Sequence, residues 1–303
     1  MRDCFIELLR LEAVKNKNIM LLTGDLGFGV LDKYRETVPE QFLNIGIAEQ
    51  NMTGVAAGLA IEGFKVFTYS IGNFCTLRCL EQIRYDVCYH NLDVKIISIG
   101  SGLSYGSLGA SHHATEDVAV LRALPNITIY TPSDYDEVCI VMDELMNTKG
   151  PGYIRLPKIK IAPQRRREVK IDACNAIGAA TKEKFVLLTH GSMAELAKKI
   201  IEALGVPCGL YTIPRIKPLP EESLRWLFSA QPRIITLEEH NLCGGFGSSV
   251  CEFLADNGIL LPVVRLGLPD CFLSVGGTAD DLMAYAGLTV ENCVNIIKQR
   301  FSL

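Results

Sequence analysis

Long apolar stretches are missing from this 303-residue chain, and no run approaches the roughly 20 residues that a bilayer-crossing helix needs. The amino-terminal stretch MRDCFIELLRLEAVKN mixes acids among its apolar residues. It lacks both the apolar core and the small-residue cleavage site of a secretion signal. A soluble, cytoplasmic protein is the expectation. Basic surplus is missing too: 30 Lys and Arg stand against 34 Asp and Glu, for a net charge of -4 and a pI near 5.8. That balance argues against nucleic acid or an anionic membrane as a partner. No C-x-x-C occurs among the 11 Cys, and nothing near Cys75 and Cys79 completes a zinc pattern. Most of these Cys lie among apolar residues, as reduced core thiols do.

What is present is a core. Hydrophobic residues make up 49% and charged residues 21% of the chain, with a mean hydropathy of +0.22. Two readings fit that figure: buried parallel strands, or apolar surface covered by another subunit. The length suffices for two domains.

Short apolar runs alternate with helical patterns. Strands are expected at 19–23, 42–45, 64–69, 94–99 and 127–130, with helices at 48–61, 77–89, 116–124 and 134–146, the last capped by Ser133 or Asp134. A polar, basic stretch holding Arg165-Arg166-Arg167 then reads as a solvated linker. The rhythm resumes with strands at 185–189, 208–213, 234–237 and 262–266, and with a helix opened by Gly244-Gly245-Phe246-Gly247. This pattern predicts an α/β chain of two doubly wound domains with mainly parallel sheets: 1–160, a linker at 161–173, and 174–303. Ligands of such sheets sit beyond the carboxyl ends of the strands. Gly24-Asp25-Leu26-Gly27, Gly46 to Glu49, Ser70 to Phe74 and Gly100 to His113 should therefore gather on one edge.

Glu49 opens a helix at that edge, where an acid is often only a dipole partner. Its sequence context says more. GIAEQNMTGVAAGLAIEG closely matches the pyrimidine-domain signature of the transketolase family, which includes deoxyxylulose-phosphate synthase. GDLG, the segment from Phe74 through LEQIRYDVCYHNLDVKI, GASHHATEDVAVLRALPN, TPSDYDE and GPGYIRLPK fall in family order and at family spacing. EEHNLCGGFGS and RLGLPD continue the match. Over essentially its whole length, the chain resembles the C-terminal half of a thiamine-diphosphate-dependent transketolase.

The resemblance implies roles. In the family, a carboxylic acid hydrogen-bonds the cofactor's aminopyrimidine ring, promotes its imino tautomer and needs a dry pocket; Glu49 matches that position. Phe74 matches the aromatic that stacks on the pyrimidine, with a core aromatic as the alternative. Asp25 and Leu26 match residues lining the cofactor pocket, and Ile47 packs nearby. His112, preferred over the adjacent His113, matches the substrate-site His. Arg155 and Lys158 stand where the family binds substrate phosphate, or else begin the basic linker; Lys158 is the closer match. Arg78 and Glu81 read as interface or intrahelical pairs, and His240 as structural.

Three departures stand out. Leu108 occupies a place where the family commonly carries an acid, and Gly100 one where transketolases commonly carry a phosphate-holding His. Both suggest an unusual substrate pocket. The G-D-G…N motif through which the family binds Mg²⁺ and diphosphate is not found, and the chain starts at the pyrimidine domain. The resemblance therefore implies a separate N-terminal diphosphate-binding subunit supplying the Mg²⁺ ligands. It also implies cofactor at the interface, an α2β2 assembly and ketol transfer between sugars or sugar phosphates. The alternatives are a deoxyxylulose-phosphate-synthase-like enzyme half, a 2-oxo acid dehydrogenase β subunit, or a non-catalytic regulatory subunit.

Overall fold

The structure, a computed structural model, describes residues 1–161, 167–178 and 183–303. Six strands of the first half lie parallel: β1 (Ile19–Thr23), β2 (Phe42–Asn44), β3 (Lys65–Ile71), β4 (Val94–Ile99), β5 (Thr128–Tyr130) and β6 (Gly152–Leu156). The second half contributes β7 (Asn175–Ala176), β8 (Phe185–Thr189), β9 (Cys208–Thr212), β10 (Arg215–Lys217), β11 (Arg233–Asn241) and β12 (Val263–Leu268). These make two mainly parallel sheets, in the orders β10-β5-β6-β4-β3-β1-β2 and β12-β11-β8-β9-β7.

The reason is visible in β4, which is buried at every position. Val94 and Ile96 pack into one apolar cluster, while Ile97 and Ile99 pack into a cluster on the other face. A strand covered on both faces has no polar side, so its apolar residues run without alternation. The first cluster also takes in Val186, Tyr211 and Phe246, so one core joins the two sheets.

Two features depart from the sequence reading. β10 leaves the second half and pairs antiparallel with β5, completing the first sheet. It is anchored by Lys217 Nζ, which donates to Arg122 O at 2.8 Å and also to Leu124 O. Residues 77–89 are not one regular helix: a 3-10 turn and a short α turn lead into a π-helical segment, Ile83–Tyr89.

The basic run is also corrected in part. Arg167 is not a solvated linker residue, because its guanidinium donates to Asp134 Oδ2 (2.8 Å), Glu137 Oε1 (2.9 Å) and Thr212 Oγ1 (3.0 Å). Arg165 and Arg166 lie outside the described residues. Asp134, rather than Ser133, caps its helix by accepting from the Glu137 N–H. Among the described residues, no helix is long and apolar enough to cross a membrane.

Candidate active site

Parallel pairing brings the carboxyl ends of β1, β2, β3, β4 and β6 to one edge, and the loops that follow them touch there. Asn44 ties the first two. Its Oδ1 accepts from the Asp25 and Gly46 N–H groups and its Nδ2 donates to Asp25 Oδ1, all at 3.0 Å. This clamp holds Asp25 at φ 55, a conformation that costs a residue with a Cβ unless its surroundings enforce it. Asp25 and Ile47 are exposed on the edge, Ile47 at 79%, while Leu26 is half-buried.

Glu49 begins the helix Glu49–Ile61 with its side chain buried, at 3% exposure. Its Oε2 accepts from Arg78 Nη1 at 2.9 Å. The same guanidinium lies over the Phe74 ring, 4.2 Å from its centre. Phe74 in turn meets His112 edge-on, with ring centres 5.0 Å apart. Glu49, Arg78, Phe74 and His112 thus form one continuous chain of contacts across three loops. Arg78 was expected in an interface or intrahelical pair. Its place four residues after Phe74, one helical turn on, was the signal that could have brought it into the site.

His112 is half-buried, and Ser111 Oγ lies 2.9 Å from its Nδ1. Burial first, then the charges of His113 and Arg78, push its pKa below the usual histidine value. Tyr105 flanks His112 at 5.8 Å, and the Lys158 ammonium sits 4.4 Å from the centre of the Tyr105 ring.

Two expected substrate ligands are corrected. His113 is 4% exposed and its Nε2 lies 3.1 Å from Gly106 O, so it braces its own loop instead of facing a substrate. Arg155 is 2% exposed. Its Nε donates to Asp117 Oδ2 at 2.7 Å, and its Nη2 donates to Ala114 O (2.8 Å) and Glu239 O (3.0 Å). A guanidinium committed to this buried network cannot reach a phosphate at the surface.

The network extends into the second half and grips the loop that follows β4. Glu239 Oε1 accepts from the Leu103 N–H at 2.8 Å while its Oε2 accepts from Ser192 Oγ at 2.6 Å. Gly102, at φ 56, admits this carboxylate, because a Cβ there would lie 2.2 Å from Glu239 Cδ. His240, expected to be structural, is buried and accepts from the Ala119 N–H through Nε2 at 3.2 Å. Glu239 escaped the sequence reading because its partner is 136 residues away. Among the described residues, no group of three or more His, Cys, Asp or Glu is arranged to hold a metal ion.

Comparison with known proteins agrees with this architecture. Residues 1–163 match the family model of the transketolase pyrimidine binding domain, and residues 178–293 match that of the transketolase C-terminal domain. A putative transketolase C-terminal section from Methanocaldococcus jannaschii is 33% identical, covering 94% of this chain and 91% of that protein. An apulose-4-phosphate transketolase subunit from Phocaeicola vulgatus is 32% identical, covering 95% and 92%. A solved split gene transketolase, described as an inactive beta4 tetramer, superposes with a TM-score of 0.86 at 31% identity, covering 100% of this chain and 98% of that one. By its domain models and by relatives of matching length, the chain belongs to the transketolase family, whose pyrimidine-binding and C-terminal domains it carries.

Proposed function

We propose that this chain is the catalytic C-terminal subunit of a split, thiamine-diphosphate-dependent transketolase, a cytoplasmic enzyme moving a two-carbon ketol unit between sugars or sugar phosphates. The observation that carries the reading is the buried Glu49 carboxylate beside the Phe74 ring. Arg78 indicates what this pair accepts: a flat group bearing N–H donors, laid on the ring and bonded to the carboxylate. An aminopyrimidine is equally flat, and its ring nitrogen, once it carries a proton from the Glu49 carboxyl, would be such an N–H donor, so the residues fit the pyrimidine half of the cofactor.

Glu49 would bond a ring nitrogen and hold a proton there, Phe74 would stack on the ring, and Leu26, Asp25 and Ile47 would line the pocket. When bound, thiamine diphosphate supplies a nucleophilic carbon to the site. His112, steadied through Nδ1 by Ser111, would use Nε2 to orient a substrate oxygen and pass a proton to or from it. Lys158 would take the phosphate end of a sugar phosphate. Burial of Glu49 keeps water from its carboxyl and strengthens its bond to the ring nitrogen.

The Mg²⁺ and diphosphate ligands are assigned to an N-terminal diphosphate-binding partner chain, with two copies of each chain in an α2β2 assembly. Two relatives of this chain's own extent support that division, one called a subunit and the other a section. Neither nucleic acid nor a membrane enters this reading.

A ketol-transfer assay with Mg²⁺ and thiamine diphosphate tests it, on the chain alone and co-expressed with a diphosphate-domain chain. Turnover only in the mixture is expected. Turnover by the chain alone would sink the split-enzyme reading. Carbon dioxide release from a 2-oxo acid donor, without ketol transfer, would replace the reaction but keep the assembly.

A further inference from the structure

At the strand end, the residue that departs from the family pattern has a physical partner. Gly100 sits at φ 82, and a Cβ there would lie 2.0 Å from Tyr105 Cε2 and 2.4 Å from its Cδ2. The ring therefore occupies the space that a side chain at position 100 would need. From that seat it does two things. It flanks His112 at 5.8 Å, and it carries the Lys158 ammonium 4.4 Å from its centre. Lys158 is exposed and shares a surface notch with Arg2, Asp3 and Lys160. Arg2 is partly spoken for by Asp3, at 2.7 Å, so the notch keeps a positive excess.

A lysine on an exposed four-carbon stem has no fixed ammonium position of its own. An aromatic face supplies one, because the ring's negative face attracts the cation. We propose that Tyr105 is a specificity-determining residue: seated in the space Gly100 leaves, its ring flanks His112 and holds the Lys158 ammonium, so that the site selects sugars with an anionic group at the end away from the reacting carbonyl. The proposal rests on the transketolase reading above. It makes Gly100 and Tyr105 one unit, in which loss of a side chain at the first allows the ring of the second.

The test uses the reconstituted two-chain enzyme with cofactor and Mg²⁺. Acceptors are glyceraldehyde 3-phosphate, with its anionic end, and glyceraldehyde, without one. Tyr105→Leu should raise KM for the phosphorylated acceptor roughly 2- to 5-fold, the range of a cation–π contact at an exposed lysine, with a far smaller effect on kcat. KM for glyceraldehyde should move by less than about twofold, so the ratio of the two kcat/KM values falls. Tyr105→Phe keeps the ring and should restore the ratio. Lys158→Met should cause a similar loss, and adding Tyr105→Leu to it should cost little more, because the two act as one contact.

Equal loss with both acceptors, failure of Tyr105→Phe to restore the ratio, or additive loss with Lys158→Met would each overturn the proposal. Calorimetric binding of ribose 5-phosphate is measured in parallel on wild type and Tyr105→Leu. If no ketol transfer is seen at all, the functional reading fails separately, and the binding data decide Tyr105: weaker binding by the variant supports its role, and equal binding overturns it. Binding of sulfate-ended and carboxylate-ended sugars in the same titrations tells a general anion site from a phosphate site.

Discussion

Replacing Asp117 by alanine should destabilise the chain by about 3–5 kcal/mol, the cost of leaving one member of a buried ion pair alone. Asp117 is 0% exposed and Arg155 2%, so water cannot rescue the orphaned guanidinium. Arg155 Nε would lose its 2.7 Å bond, and the Tyr153 hydroxyl would lose its acceptor. The two carbonyls of Ala114 and Glu239 would remain with Arg155, which keeps the loss from growing further. Urea unfolding followed by circular dichroism reads the change. The melting point should fall by roughly 5–8 °C, at about 1.6 °C per kcal/mol for a chain of this size. The penalty also depends on pH. Burial opposes ionisation of Asp117, but Arg155 and His240 outweigh it and hold the carboxyl below its ordinary value of 3.8. A depressed carboxyl contributes stability above its unfolded value and loses it as pH falls through the folded one, so the variant's deficit should shrink in acid. Pairing Asp117→Leu with Arg155→Met should recover most of the loss, since both charges leave together. A deficit under about 1 kcal/mol for Asp117→Ala, or a double variant as costly as the summed singles, would refute the account of this network. If Arg155→Met instead left stability intact and raised KM only for phosphorylated acceptors, Arg155 would return to the substrate site.

Glu49→Gln keeps the size of the side chain but cannot exchange the proton, and should lower ketol transfer about 10²- to 10⁴-fold in the reconstituted enzyme with its melting curve preserved; near-normal turnover would remove Glu49 from the chemistry. His112→Asn should lower kcat within a similar range of about 10²- to 10⁴-fold. Because burial, His113 and Arg78 lower the His112 pKa, the acid limb of the wild-type rate profile should lie below pH 6.5, and a limb above it would contradict this. Burial pushes the Glu238 carboxyl up to about 7, although it accepts from the Phe246 and Gly247 N–H groups. The folded value lies above the ordinary 4.5, so this stability is complete below pH 4.5 and is lost as pH rises through about 7. Relative to Glu238→Gln, wild type should therefore lose about 3 kcal/mol between those limits in urea titrations, and parallel pH profiles would exclude it. Gly102→Ala should displace Glu239 from the Leu103 N–H and cost about 1–3 kcal/mol through backbone strain alone; an unshifted melting curve would show that the grip is unimportant.

Much of the fold was legible in the order of residues. β1, β4 and β8 fall where short apolar runs predicted them, because a strand buried on both faces leaves no other arrangement for such a run. Parallel pairing then follows from the strand–helix alternation, and with it the gathering of the Gly24, Gly46, Ser70 and Gly100 segments on one edge. The candidates Glu49, Phe74 and His112 were legible as short motifs, since each is read with its immediate neighbours.

What the tertiary structure decided is pairing across distance. Arg155 belongs to Asp117, 38 residues away, and to Glu239, 84 residues away. No local pattern tells a buried guanidinium from a phosphate ligand at the end of a strand. Arg78 on Glu49, β10 on β5, Arg167 on Asp134 and Glu137, and the Tyr105 ring on Gly100 are of the same kind. Periodicity and motif report what a residue prefers near itself, while the partner that satisfies a buried charge or fills a missing side chain is chosen only when the sheets close on one another.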